Sequence, residues 1–140
     1  MRKFAVVEKQ FQYKGHDCIC VFTRNGYRCG YVSTTLRRDH DDFGIDCHGG
    51  LTFGGALPEA YAPKEVFYIG FDCGHICDGI DAELAYEYGL INETEREYFK
   101  ESFGYLSDYP VRDVDYVEEQ CKKIADQLEE LENDKQRMDR

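Results

Sequence analysis

Residues 17 to 33 read DCICVFTR, then NG, then YRCGYVS: two runs rich in β-branched and aromatic side chains flank Asn25-Gly26. Both central positions of a type I′ turn need positive φ, which Asn and Gly tolerate. The pair therefore predicts a hairpin with strands near Asp17–Arg24 and Tyr27–Ser33. A two-residue loop also sets the register: Arg24 faces Tyr27, Phe22 faces Cys29 and Cys20 faces Tyr31. Cys18, Cys20, Phe22, Cys29 and Tyr31 then share one face of the ribbon. Further strands are expected at Phe4–Tyr13, around Leu51–Phe53 and at Glu65–Phe71, separated by charged and glycine-rich loops.

The C-terminal half has a different period. Val114, Val117, Cys121, Ile124, Leu128 and Leu131 recur three and four residues apart, which predicts one amphipathic helix with a single apolar stripe. Cys121 lies in that stripe and reads as a small buried hydrophobe. Beyond Leu131 the pattern is lost and the helix is expected to fray. Asn92 followed by Glu95 resembles a capping box that opens a helix over TEREYFKESF, and a shorter helix over Ala82–Tyr88, closed by Gly89, precedes it. The expected fold is α+β: a small antiparallel sheet of four or five strands, zinc at one end, packed by the long C-terminal helix. With 140 residues the chain forms a single domain. Residues 1–80 carry the sheet and the metal site, and 81–140 are helical and acidic.

No run approaches the ~20 apolar residues of a membrane span. The opening MRKFAVVEKQ meets Glu8 and Lys9 before a signal-peptide core forms, so a soluble intracellular protein is expected. The formal net charge is −11 and is unevenly placed: residues 72 to 119 hold three basic and fourteen acidic side chains. Such a segment repels phosphate backbones, so direct nucleic-acid binding is not expected. It reads either as a solvated acidic surface or as a face for a basic groove on a partner protein.

The seven cysteines are an odd count, and without export their thiols are expected to be reduced. FDCGHICD, residues 71 to 78, concentrates Cys73, His75 and Cys77 with Asp72 and Asp78; Cys47-His48 offers a second group, and Cys18, Cys20 and Cys29 a third. If the chain stays extended past Phe71, then Cys73, His75 and Cys77 point one way. A tetrahedral Zn²⁺ site takes four N or S ligands converging at about 2.0 to 2.3 Å, so the residues exceed one site's needs. A structural metal site, buried thiols with a hydrogen-bonded histidine, and a catalytic centre are all compatible with this pattern. Asp46, Asp72 and Asp78 read as acceptors that fix a histidine tautomer, or as loop caps. His16 and His40 read as plain surface residues.

The strings CGYV (Cys29–Val32), HGGLTFGG (His48–Gly55), IGFDCGH (Ile69–His75) and DVDYVEEQ, with the closing helix, resemble a family of small bacteriophage and prophage proteins, over about three quarters of the chain. The segment from Asp81 to Tyr105 is longer and more acidic than that pattern. The resemblance implies that Cys29, His48, Cys73 and His75 form a structural Zn²⁺ site; Cys47 and Cys77 fall outside the pattern and rank as substitutes.

The chain is also similar to zinc-binding anti-CRISPR inhibitors of type II CRISPR RNA-guided nucleases. This implies a non-enzymatic monomer in the host cytoplasm, whose acidic surface from Asp72 to Glu119 docks on a basic region of the host nuclease protein and blocks loading of target DNA. An alternative of another class is a metal-dependent hydrolase or nucleotide-binding counter-defence protein, with His48, Asp72, His75 and Asp78 around an ion that keeps an open position. A virion or replication accessory protein with a structural metal is a third reading. Ligand type separates the first two, because thiolates close a zinc site and a histidine and carboxylate set leaves it open.

Overall fold

The computed structural model describes residues 3–75, 77–104 and 108–138, with side chains described to residue 135. Five strands, β1 (Ala5–Tyr13), β2 (His16–Thr23), β3 (Arg28–Thr34), β4 (Phe53–Gly55) and β5 (Phe67–Asp72), form one antiparallel sheet in the order β1-β2-β3-β5-β4. Among the described residues three α-helices follow: α1 (Ala82–Glu87), α2 (Glu93–Phe103) and α3 (Val114–Met138). The protein is α+β, with the long helix laid across β3, β2 and β1. Among the described residues no helix is long and apolar enough to cross a membrane.

The hairpin forms, but its register differs by one residue from that expected. Val21 pairs with Cys29, Cys20 with Gly30 and Phe22 with Arg28. The Gly26 amide donates to the Thr23 carbonyl at 3.0 Å and the Thr23 amide to the Tyr27 carbonyl at 3.0 Å, with Gly26 at φ 88° and Asn25 outside the left-handed region. This is a three-residue loop, a turn closed by a left-handed glycine, rather than the two-residue type I′ loop. A hairpin loop with two consecutive positive-φ residues is found instead at Lys14-Gly15, between β1 and β2. Because side-chain direction alternates along a strand, the slip sends Cys29 and Tyr31 to the face opposite Cys18, Cys20 and Phe22.

Both faces of the sheet are buried. Cys18, Cys20, Val32, Ile69 and Phe71 pack with Val117, Cys121, Ile124, Ala125 and Leu128 of α3. On the other face Ile19, Val21, Cys29 and Tyr68 pack with Leu57 and Ala62 of the loop between β4 and β5. At the far end Phe22 meets Ala85, Leu90 and Ile91 around α1 and α2. At Gly30 the sheet packs tightly under α3: a Cβ there would lie 2.6 Å from the Phe71 ring and 2.8 Å from Cys121 Sγ.

Three further local expectations need correction. His16 is buried at 5% exposure, its Nδ1 2.7 Å from the Ser33 carbonyl and its Nε2 3.8 Å from Glu132. The last helix runs on to Met138, past Leu131. The strand ends at Asp72, and the Asp78 amide closes a turn onto the His75 carbonyl at 2.9 Å. Cys73 is therefore buried, His75 partly exposed and Cys77 exposed, so the three do not share a direction. Ile76, between them, lies outside the described residues. The capping box at Asn92 is present as expected, each side chain bonded to the other's backbone amide.

Candidate metal centre

The site is assembled from the end of β5, the turn after it, the loop carrying His48 and the first turns of α3. Helix α3 holds that loop by its side chains. The Gln120 carbonyl accepts from the His48 amide at 2.8 Å, and Gln127 both accepts from the Asp46 amide at 2.8 Å and donates to the Asp46 carbonyl at 2.7 Å. Gln120 lies one turn beyond Tyr116, on the same side of the helix. The Tyr116 hydroxyl lies 2.7 Å from His48 Nδ1. Gly49, at φ 68°, carries the loop past His75 at a point where a Cβ would run into the imidazole.

His48, His75 and Asp78 each bring one ligand-capable atom within 4.8 Å of the others. His48 Nε2 is 2.8 Å from Asp78 Oδ2, and the two imidazoles meet edge to face at 5.7 Å. Asp78 is 3% exposed, accepts from the His75 amide at 3.1 Å, and receives Arg112 Nε on its other oxygen at 3.2 Å. Burial alone would disfavour its charge. The hydrogen bonds from His48, the His75 amide and Arg112 outweigh that and hold its carboxyl below the usual aspartate range.

His75 Nδ1 lies 3.7 Å from both Asp72 Oδ1 and Asp78 Oδ2; it is buried and has no hydrogen-bond partner among the described residues. A buried imidazole nitrogen facing two carboxylates at that separation is a group for which a cation would supply the missing partner. Asp72 is itself fixed by the Thr52 hydroxyl and the Gly74 amide, both at 3.0 Å.

Arg112 stands over the Tyr116 ring at 4.8 Å, and its carbonyl accepts from Arg28 Nη1 at 3.0 Å. Arg28 is paired through Nε to Glu8 at 2.6 Å. Glu8 occupies the irregularity in β1, where the register shifts between Val7 and Lys9. The bulge turns this carboxylate toward Arg28 and toward the Tyr88 hydroxyl, 2.7 Å away.

Of the four ligands implied by resemblance, His48 and His75 come together. Cys29 and Cys73 belong to no such cluster among the described residues. Cys29 packs with Ile19 and Val21 on the face away from α3, whereas Cys73 is buried in the core beneath α3. Burial pushes both thiols up to about 12. Of the two substitutes, Cys47 is buried with its thiol pushed up to about 11, and Cys77 is exposed. Sequence reasoning reached Asp72 and Asp78 only as flanking acceptors or as part of the alternative set. Arg112, Tyr116 and Gln120 were missed, the last two despite lying in the quoted DVDYVEEQ string.

His75 and Asp78 also line one part of a cleft of about 380 Å³ whose other walls include Asn25, Tyr27, Ile80, Tyr98, Phe99 and Phe103. The cleft is mainly apolar and opens beside the cluster. No protein family, curated protein or solved structure matches this chain.

Proposed function

We propose that His48, His75 and Asp78 hold one Zn²⁺ with a coordination position left open, and that the protein is a metal-dependent hydrolase acting on a small ligand in the adjoining cleft. The observation that supports this reading over a closed structural zinc is the composition of the cluster: two imidazoles and a carboxylate converge, while the cysteines lie outside it. Structural zinc sites take four protein ligands, and hydrolytic ones take three and keep a place for water. The metal would supply a water acidified toward neutral pH and a Lewis acid for the bond under attack.

The chain's own residues do the positioning. Tyr116 and Gln120 fix the ring and backbone of His48. Arg112 donates to the Asp78 oxygen that His48 leaves free. Asp72, tied down by Thr52 and Gly74 and 3.7 Å from His75, is placed to accept a proton. In the overall step the oxygen of water bonds to the acyl carbon, the C–O or C–N bond breaks, and the leaving group takes up the proton. Screening the zinc-loaded protein against esters, amides and nucleotides should reveal turnover that chelator stops and His75→Ala abolishes. Zinc-loaded protein inert across the panel would contradict the reading.

A second reading keeps the inhibitor suggested by resemblance, acting as a monomer in the host cytoplasm with a zinc that only stabilises the fold. What favours it is the surface of α1 and α2, where Glu83, Glu87, Glu93, Glu97 and Glu101 are exposed beside Tyr86 and Tyr98. An acidic, aromatic surface suits a basic groove on a nuclease. That reading requires a salt-sensitive complex with a type II CRISPR nuclease and loss of target cleavage; no complex at low salt would exclude it.

A further inference from the structure

The hydrolase reading leaves the ligand undefined, and the cleft beside the cluster narrows it. Helix α2 buries none of its residues, yet it carries Tyr98, Phe99 and Phe103, three rings packed on one another at 6.0 to 6.3 Å between centroids. These rings form one wall of the cleft. Tyr27 and Ile80 contribute to the lining, and His75 and Asp78 bring it to the cluster. Such a lining stacks well on a flat ring and has few polar groups to recognise a sugar or a chain of hydroxyls. At about 380 Å³ the space is near the small end of ligand pockets.

Charge restricts the ligand further. Glu97 and Glu101 lie with Tyr98 along the adjoining groove of α2, and Asp72 stands beside His75. Arg112 is committed to Asp78. A chain of phosphates entering here would meet carboxylates on both sides, with no free guanidinium among the described residues lining the cleft to answer them.

We infer, resting on the proposed metal site, that the ligand is a compact molecule with a flat, uncharged ring seated against Tyr98, Phe99 and Tyr27, and a single carbonyl-type oxygen group directed at the His48, His75 and Asp78 cluster. Phosphate chains are not part of it. The ring supplies affinity and the oxygen group supplies orientation.

Two hydroxamates separate the parts of this inference, because both chelate zinc through the same atoms and only one carries a ring. Calorimetry on the full zinc-loaded chain should show benzohydroxamate binding at least about tenfold more tightly than acetohydroxamate, a factor that burial of one phenyl ring readily supplies. Tyr98→Ala should cut that preference several-fold and leave acetohydroxamate binding as it was; Tyr98 is 59% exposed, so the change leaves the core intact. Phe99→Leu should reduce the preference as well. Equal affinities for the two probes, or a ring preference unmoved by both substitutions, would overturn the inference while leaving the metal site standing. Failure of acetohydroxamate to bind the zinc-loaded chain would mean that the ion keeps no open position, which removes the hydrolase reading and this inference with it. Adenosine diphosphate binding more tightly than benzohydroxamate would overturn the uncharged class of ligand.

Discussion

At Asp78 a single buried carboxylate serves the His48 ring, the His75 backbone amide and the Arg112 guanidinium. Removing it strands these groups, and loss of one partner from a buried ion pair costs about 3 to 5 kcal/mol. Asp78→Ala should therefore lower the free energy of unfolding by an amount of that order, read from urea melts as a lower midpoint, with Asp78→Asn costing less because the amide oxygen still accepts. The cysteines offer an independent check. Cys77 is exposed, whereas the other six are buried, and burial raises the thiols of Cys18, Cys29 and Cys73 to about 12. Native protein treated with a thiol reagent at neutral pH should label quickly at one position, and Cys77→Ser should abolish that rapid phase. Labelling of Cys29 or Cys73 at a similar rate would contradict the packing of both sheet faces. His16 shows why one residue type misleads in sequence: Gly15 and Asp17 beside it look like surface, while the contacts that bury it come from β3 and α3.

The elements differ in how legible they were. The stripe on α3 and the capping box on α2 are local patterns, and both are found where the spacing places them. The hairpin register is not local. Cys29, Gly30, Tyr31 and Val32 are all apolar or small, so either alternation looks acceptable along β3, and Asn-Gly fits a two- or a three-residue loop. What decides between them is the distant helix, which needs Gly30 beneath Cys121 and has no room there for a larger residue. Gly30→Ala should accordingly cost about 1 to 3 kcal/mol by overpacking, read as a lower thermal midpoint. A contact between the β1–β2 turn and the same helix predicts a pH effect. The Lys14 ammonium, and after it the Tyr13 hydroxyl, hold Asp126 below its ordinary value of 3.8, against a smaller opposing effect of burial. A folded value below the unfolded one means that this stabilisation is present above the ordinary carboxylate range and is lost as pH falls through the folded value. Thermal melts between pH 5 and about pH 2.5 should thus show a shallower loss of stability in Asp126→Asn than in the parent.

At the scale of the whole molecule, the loop before β4, the end of β5 and the turn after it carry the chemistry-bearing side chains, and α3 locks that loop by Tyr116, Gln120 and Gln127. The candidate site was half legible. His48, His75 and the aspartates stand in short strings that any reading for metal ligands would mark, whereas the choice between sulfur and carboxylate depends on which way β3 and the chain after β5 turn. Tyr105, which ends the segment from Asp81 that departs from the family pattern, lies outside the described residues. The exposed acids of α1 and α2 are partly answered by Arg96 and Lys100, which pair with Glu83. The decisive measurement is zinc content by elemental analysis, with zinc titration of the parent, His48→Ala, His75→Ala, Cys29→Ser and Cys73→Ser. One zinc per chain, lost in both histidine variants and retained in both cysteine variants, is the predicted result; a metal-free parent, or zinc that leaves with either cysteine, would contradict the account.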